Sequence, residues 1–115
     1  MLKSTSSLLL KIKNLLRQHI SDPNFDISEF CKHLGISRTH LHRQITALTG
    51  LSTSHYLRQL RLEEAKELLE TEDLLVYEVA NKVGFSDVSY FSTSFSNHFG
   101  FPPKVLKNTN QNLFC

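Results

Sequence analysis

The hydrophobic residues of this chain recur at the three- and four-residue spacing that is typical of amphipathic helices. Leu8, Ile12 and Leu16 belong to the first such series, which predicts a helix over about residues 6–20. No segment shows the sustained two-residue alternation, with β-branched side chains, that a half-buried strand would show. The pattern therefore predicts an all-α protein of about seven helices.

Capping residues and glycines place the ends of the other helices. Asp26 is expected to cap the second helix, and Glu29 three residues later predicts a reciprocal capping box. Gly35 is expected to end that helix in a left-handed turn. The other predicted boundaries are Ser37 to Gly50 for the third helix, the cap Ser52 and about five turns for the fourth, Val76 to Lys82 for the fifth, Ser86 to Phe99 for the sixth, and a short last helix opened by Pro102 and Pro103.

One sequence pattern occurs twice, in Ile27–Gly50 and in Val76–Gly100. The aligned pairs include Leu34 with Val83 and Gly35 with Gly84 at a shift of 49, and, after one inserted residue, Leu41 with Phe91, Ile45 with Phe95 and Gly50 with Gly100 at a shift of 50. In each copy a glycine separates two helices, which is typical of a helix-turn-helix motif. Two such motifs in one chain predict contact with two successive major grooves of DNA.

The packing inside each motif follows from the same pattern. The two helices need a small residue where they cross, and Cys31 and Ala80 supply it, so we expect Cys31 to be buried. Cys115, at the C-terminus, is expected to be a free exposed thiol. The second helix of each motif needs an inner apolar stripe, which is formed by Leu41, Ile45 and Leu48 in the first copy and by Phe91, Phe95 and Phe99 in the second.

These elements predict how the chain is organised. A long linker helix is expected to join the motifs and to set their spacing near one turn of DNA, about 34 Å. The predicted parts are an N-terminal segment or linker remnant over 1–7, a first helix-turn-helix subdomain over 8–50, the linker helix over 51–71, a second subdomain over 72–107 and a flexible tail over 108–115.

Charge is segregated along the chain, although the net charge is only +2. Residues 1–20 carry four basic residues and no acid, and residues 37–50 carry Arg38 and Arg43 and no acid. The acidic residues lie mainly in 22–29 and 63–78. This distribution favours one basic face that meets nucleic acid and one acidic face. The alternative is an ordinary solvated surface.

Other classes of function have little support in the sequence. No apolar run approaches the roughly 20 residues that span a membrane, and no signal-peptide cleavage site follows Ser7–Leu16. His40 and His42 lie two residues apart and therefore do not share a helix face on which to hold one metal ion. Neither a nucleophile elbow nor a phosphate-binding loop is present. We expect a cytoplasmic protein with no membrane partner, metal, cofactor or enzymatic activity.

Three segments of the chain resemble one bacterial family. They are YLRQLRLEEAKELL at 56–69, GFSDVSYFSTSF at 84–95 and the G-x-P-P spacing at 100–103. Together and in this order they resemble the C-terminal DNA-binding domain of AraC/XylS-type transcriptional regulators, over roughly residues 8–107. The resemblance implies a monomeric module whose two recognition helices enter adjacent major grooves on one face of the duplex.

The outward faces of the third and sixth helices match the family's recognition positions. Arg43 is long enough to bind both O6 and N7 of guanine. Such a contact favours the correct base over a wrong one by about 1–3 kcal/mol. The alternative for Arg43 is a solvated arginine or an ion pair. Base reading is expected for Thr39, His42, Arg43, Ser89, Ser92 and Thr93, and contact with the DNA backbone for Arg38, Gln44, Arg58, Ser86, Ser96 and Asn97.

The chain also departs from the family's pattern. Thr93 and Ser96 stand where arginine and lysine are usual, and Thr46 stands where lysine is common. Because long basic side chains are missing from the sixth helix, we expect it to bind DNA weakly and with little dependence on salt. Leu75 replaces the hydroxyl residue that would cap the fifth helix together with Glu78, at a cost of about 1 kcal/mol.

The sequence therefore predicts the DNA-binding domain of an AraC-type transcription regulator. Its expected partners are double-stranded promoter or operator DNA, RNA polymerase, and a sensing or dimerisation domain elsewhere in a longer chain. The alternative is a helical protein-interaction module that has kept the fold and lost specific DNA binding. An enzyme ranks third.

Overall fold

The computed structural model describes residues 2–107, with side chains from Ser7 onward. No strand occurs within residues 2–107, so the prediction of an all-α fold is confirmed. Cys115 and the tail predicted over 108–115 lie outside the described residues. The helices are α1 (Leu2–Gln18), α2 (Ile27–Leu34), α3 (Arg38–Thr49), α4 (Thr53–Thr71), α5 (Val76–Lys82) and α6 (Val88–Phe99), followed by a short α7 over 104–107.

The chain divides into two compact units, the first ending at Leu60 and the second beginning at Arg61. This boundary falls inside α4, so α4 contributes its first turns to one unit and its remaining turns to the other. Helix α4 lies within the segment predicted as the linker helix over 51–71. Helix α1 begins at Leu2, earlier than the start predicted at about residue 6.

The first unit is built around one hydrophobic cluster from α1, α2, α3 and the start of α4. The Phe25 ring stacks on His19 with the ring centroids 4.1 Å apart, and it meets the edge of Phe30 at 4.9 Å. Each large apolar side chain that is buried in this way stabilises the fold by about 1.5–3 kcal/mol. The most deeply buried members, at 0–2% exposure, are Ile12, Leu16, Phe30, Leu41 and Ile45.

Aromatic side chains hold α6 in the second unit. The Phe91 ring lies 5.2 Å from Phe85 and 5.8 Å from Phe95, and Phe95 lies 4.6 Å from Phe99. Phe91 and Phe95 are fully buried, as the predicted inner stripe requires, while Phe99 is half-buried. The phenylalanines therefore form the buried stripe of the second motif, as Leu41 and Ile45 do in the first.

The predicted helix ends are largely confirmed in the first unit. The Asp26 carboxylate accepts the backbone N–H of Glu29 at 3.2 Å, and the Ser37 hydroxyl accepts that of His40 at 3.1 Å. Gly35 adopts the left-handed conformation at φ 70°. The Glu29 carboxylate, however, pairs with Lys32 at 3.2 Å, so the reciprocal half of the predicted capping box is absent. Lysine one turn further along the helix offers this carboxylate a full charge, which competes with the N-cap N–H.

The start of α6 differs from the prediction. The cap is Asp87, whose carboxylate accepts the N–H of Tyr90 at 3.2 Å, and Ser86 lies in the preceding turn. Both residue types are good N-caps, so sequence alone does not choose between them. With Asp87 as the cap, α3 and α6 are both 12 residues long and correspond at a constant shift of 50. The inserted residue of the second copy is therefore Ser86.

Helix α5 begins without a side-chain cap, as predicted. Leu75 occupies the N-cap position and its side chain makes no capping hydrogen bond. The Glu78 carboxylate does accept the Leu75 N–H, at 2.8 Å. One half of a capping box is thus present, and the half that needs a hydroxyl at position 75 is missing.

The small residues at the helix crossings are buried to different degrees. Ala80 is fully buried in the second unit. Cys31 is only half-buried, although it packs against the first core, so the prediction of a buried cysteine is wrong in degree.

Candidate nucleic-acid interface

Helix α3 presents a polar face on the side opposite its buried stripe. Leu41 and Ile45 face the core with 1% and 0% exposure. The 3.6-residue period then turns the side chains between them outward. Of the residues predicted to meet DNA from this helix, four are exposed (Arg38, Thr39, His42 and Arg43) and Gln44 is half-buried.

The Arg43 guanidinium binds no other residue within the part of the chain that the structure describes. An ion pair, the alternative considered for this arginine, is therefore absent among those residues. Arg38 lies 3.5 Å from the Ser28 hydroxyl, which leaves most of its donors unused. Both arginines are thus exposed cations whose donors face solvent.

The Thr46 side chain on α3 has two polar neighbours, Leu51 and His42. The Thr46 hydroxyl donates to the backbone oxygen of Leu51 at 3.0 Å and lies 3.5 Å from His42 Nε2. Thr46, where the family commonly has lysine, therefore stabilises the turn after α3.

Helix α6 presents a face of a different chemistry. Ser86, Ser89, Thr93 and Asn97 are exposed, whereas Ser92 and Ser96 are half-buried. Val88, in the first turn, is 37% exposed, and an exposed valine is suited to contact with the thymine methyl group. These side chains are short, and all of them are neutral.

The N-termini of the two candidate recognition helices differ in charge. Ser37 caps α3 with a neutral hydroxyl, and Asp87 caps α6 with a carboxylate. An anion near the start of a helix satisfies the partial positive charge that would otherwise attract a phosphate. The start of α3 is therefore the more electropositive of the two.

Sequence reasoning missed one side chain that positions the second motif. Arg61 on α4 donates from Nη1 to the backbone oxygen of Val83 at 2.6 Å. Val83 directly follows α5 as its C-cap, so this bond holds the turn that leads to α6. The predicted backbone contact Arg58, on the same helix, is half-buried. Both arginines lie in the segment whose resemblance to the family was noted, but the segment gave no sign that Arg61 binds a carbonyl.

Sequence reasoning also missed a groove in the first unit. Its volume is about 450 Å³. The groove is lined by Ile27 of α2, by Arg38, Thr39 and His42 of α3, and by Ser52, Thr53 and Ser54 at the start of α4. Three of the residues predicted to contact DNA thus share a concave surface with the first turn of α4.

A metal-binding cluster and a membrane-spanning helix are both absent from the described residues. No group of three or more histidine, cysteine, aspartate or glutamate side chains within them is arranged to hold a metal ion. No helix between residues 2 and 107 is long and apolar enough to cross a lipid bilayer.

Comparison with known proteins identifies the arrangement. A family model described as "Helix-turn-helix domain" matches residues 30–109. The HTH-type transcriptional activator RhaR of Cronobacter sakazakii is 40% identical over 86 residues, which are 75% of this chain and 30% of that protein. The chain belongs to the AraC-type helix-turn-helix family. The resemblance in the sequence is thereby confirmed.

Two solved structures show the same AraC-type fold. The C-terminal domain of AraT, a response regulator from Geobacillus stearothermophilus, is 30% identical with a TM-score of 0.75, and the match covers 86% of this chain and 82% of that one. The DNA-binding domain of AdpA, a global transcriptional factor solved in complex with a target DNA, is 26% identical with a TM-score of 0.78 and coverage of 90% and 93%. This chain spans between 8% and 39% of the length of eight curated relatives.

Proposed function

We propose that this chain is a sequence-specific, double-stranded-DNA-binding domain of a bacterial transcription regulator. Helices α3 and α6 enter successive major grooves of a promoter or operator. The main support is the outward face of α3, where Arg43 is exposed and binds no other described residue. Similarity to the DNA-binding domain of AdpA, which was solved in complex with a target DNA, adds to it.

Base reading is divided unequally between the two helices. On α3, Arg43 donates to guanine, and Thr39 and His42 contact neighbouring bases. On α6, the short side chains of Ser89, Ser92 and Thr93 approach base edges, so recognition there depends on close fit and on groove shape. The stronger sequence preference therefore belongs to α3.

Contacts with the DNA backbone orient the domain on the duplex. Arg38 neutralises a phosphate beside the block that α3 reads, and Gln44 and Arg58 bind in the same region. Ser86, Ser96 and Asn97 donate neutral hydrogen bonds beside α6. Because few of these residues are charged, the dependence of affinity on salt is shallow for a DNA-binding domain.

The regulator that carries this domain acts in the bacterial cytoplasm. Its curated relatives are longer than this chain, and RhaR is a transcriptional activator. We infer that a sensing or dimerisation domain elsewhere in the regulator controls DNA binding, and that the bound regulator contacts RNA polymerase. The domain itself is not an enzyme.

Selection of bound duplexes from a random pool tests the proposal. The expected result is an enriched motif with two blocks about ten base pairs apart, one for each recognition helix. The absence of any enriched motif, with only weak binding that vanishes as salt is raised, would favour a protein-interaction module that has kept this fold. A single enriched block would restrict base reading to α3.

A further inference from the structure

Three helix N-termini of the first unit border the groove described above. Ile27 begins α2, Arg38 and Thr39 begin α3, and Thr53 and Ser54 begin α4. No carboxylate is among the residues that line the groove, and Arg38 brings a full positive charge to it. The partial positive charges at the starts of α3 and α4, which Ser37 and Ser52 cap with neutral hydroxyls, add to this charge, whereas the Asp26 carboxylate offsets that of α2. The groove is thus suited to an anion.

Backbone donors at the starts of α3 and α4 remain available to such an anion. The first N–H groups of a helix have no acceptor within the helix. Ser37 satisfies the N–H of His40 at 3.1 Å, and Ser52 satisfies that of His55 at 3.2 Å. The earlier N–H groups, those of Arg38, Thr39, Thr53 and Ser54, therefore still need acceptors.

Thr53 provides an independent sign that the groove binds a ligand. The residue is 4% exposed, and its hydroxyl oxygen is buried without a hydrogen-bond partner among the described residues. Leaving a buried hydroxyl unpaired costs about 1–3 kcal/mol, so such groups are rare unless they have a function. Threonine in a helix adopts two rotamers about its Cα–Cβ bond, and rotation between them changes the direction of the hydroxyl within the groove wall.

We propose that this groove binds one phosphodiester group of the DNA backbone, beside the bases that α3 reads. The Thr53 hydroxyl and the free N–H groups of α3 and α4 donate to its non-bridging oxygens, and Arg38 supplies the countercharge. Thr39 and His42 line the same groove, so a duplex read by α3 brings its backbone to this place. The inference rests on the proposed DNA-binding function and adds the first turn of α4 to the interface.

The substitution Thr53→Val tests the inference, because it removes the hydroxyl and keeps the shape. We expect the Tm of the free protein to rise by about 4 °C, since an unpaired buried hydroxyl is lost. We expect the affinity for the selected duplex to fall roughly tenfold, evenly across base sequences. Thr53→Ser keeps the hydroxyl and retains affinity. A matched control is Thr71→Val at the other end of α4, which leaves affinity unchanged.

The two effects of Thr53→Val have opposite signs, and this separates a ligand-binding role from a structural one. If the hydroxyl only supported the fold, Thr53→Val would lower the Tm and leave the affinity of the folded protein unchanged. That result would overturn the inference. It would leave the proposed function standing, because the wild-type protein would still select its duplex. A wild-type protein that selects no duplex would contradict the proposed function itself.

Neutral methylphosphonate linkages, placed one at a time along the selected duplex, identify the phosphate. One linkage beside the base pairs read by α3 should weaken binding of the wild-type protein, and it should weaken binding of Thr53→Val much less. The reason is that the neutral linkage and the substitution each remove the same contact between the Thr53 hydroxyl and the phosphate. Equal losses in both proteins at every linkage would overturn the inference. A second result would also overturn the inference. If inorganic phosphate shifted the amide NMR signals of Thr53 and Ser54, but no methylphosphonate linkage affected the two proteins differently, the groove would be a site for free phosphate.

Discussion

Arg43 lies in the second turn of α3, exposed, with Leu41 and Ile45 buried on the other side of the helix. Its fork of donors matches the two acceptors that guanine presents in the major groove. Arg38, one turn earlier, lies at the start of the helix, where phosphates are expected to bind. Two arginines of one helix therefore have different expected roles.

Alanine substitutions should separate these roles. Arg43→Ala is expected to relax the preference at one base position, with a loss of about 1–3 kcal/mol for the preferred base. Arg38→Ala, as the matched control, should weaken binding evenly across sequences and lower the slope of log affinity against log salt by about 1. Binding of each variant to a set of single-base variants of the selected duplex measures both effects. An even loss for Arg43→Ala would show that Arg43 touches only phosphate.

Leu75 shows the energetic consequence of a missing cap at the scale of one helix. The Leu75 side chain is 54% exposed, so its replacement loses little buried apolar surface. Leu75→Ser should complete the capping box that Glu78 has already half formed, and it should raise the free energy of unfolding by about 1 kcal/mol. Urea denaturation measures the change. Leu75→Ala is the control, and a gain as large as that of Leu75→Ser would show that the hydroxyl is not responsible.

The charge at the start of α6 leads to a second prediction for an element. Asparagine caps helices as well as aspartate, so Asp87→Asn should leave stability nearly unchanged. The substitution removes an anion near the DNA, and we expect the affinity for the selected duplex to rise roughly fivefold. This change corresponds to about 1 kcal/mol, the interaction energy of two unit charges at about 4 Å in water. Glu72→Gln removes a carboxylate outside both recognition helices and serves as the control. An unchanged affinity for Asp87→Asn would place the start of α6 away from the DNA.

The helices themselves were predictable because amphipathic spacing and capping chemistry are local. Arg38–Thr49 and Val76–Lys82 agree with their predicted ranges. The start of α6 was not predictable, because Ser86 and Asp87 are equally suitable N-caps and only tertiary packing decides between them.

At the scale of the whole molecule, the duplicated motif and the outward face of α3 were visible in the sequence. The groove at the starts of α2, α3 and α4 was not, because it depends on three helices converging in space from residues 27 to 54. The hydrogen bond from Arg61 to the carbonyl of Val83 was not predicted from the sequence for the same reason, because 22 residues separate the two partners. Periodicity describes what one helix buries, and it carries no information about what approaches the end of a helix.

The unequal chemistry of the two recognition helices predicts unequal halves of the binding site. Scrambling the block read by α3 should cost more affinity than scrambling the block read by α6, because each lost base contact of the usual kind costs about 1–3 kcal/mol and α6 has only short neutral side chains. Titration of the two half-scrambled duplexes at one salt concentration gives the comparison. Equal losses would mean that α6 reads bases as strongly as α3.

The most direct test of sequence-specific DNA binding is the ratio of affinities for the selected duplex and for a shuffled duplex of the same composition, measured at several salt concentrations. We predict a ratio of about 10³ or more that persists as salt is raised, even though both affinities fall. A ratio near one at every salt concentration would contradict specific recognition and would make the domain a non-specific binder or a protein-interaction module.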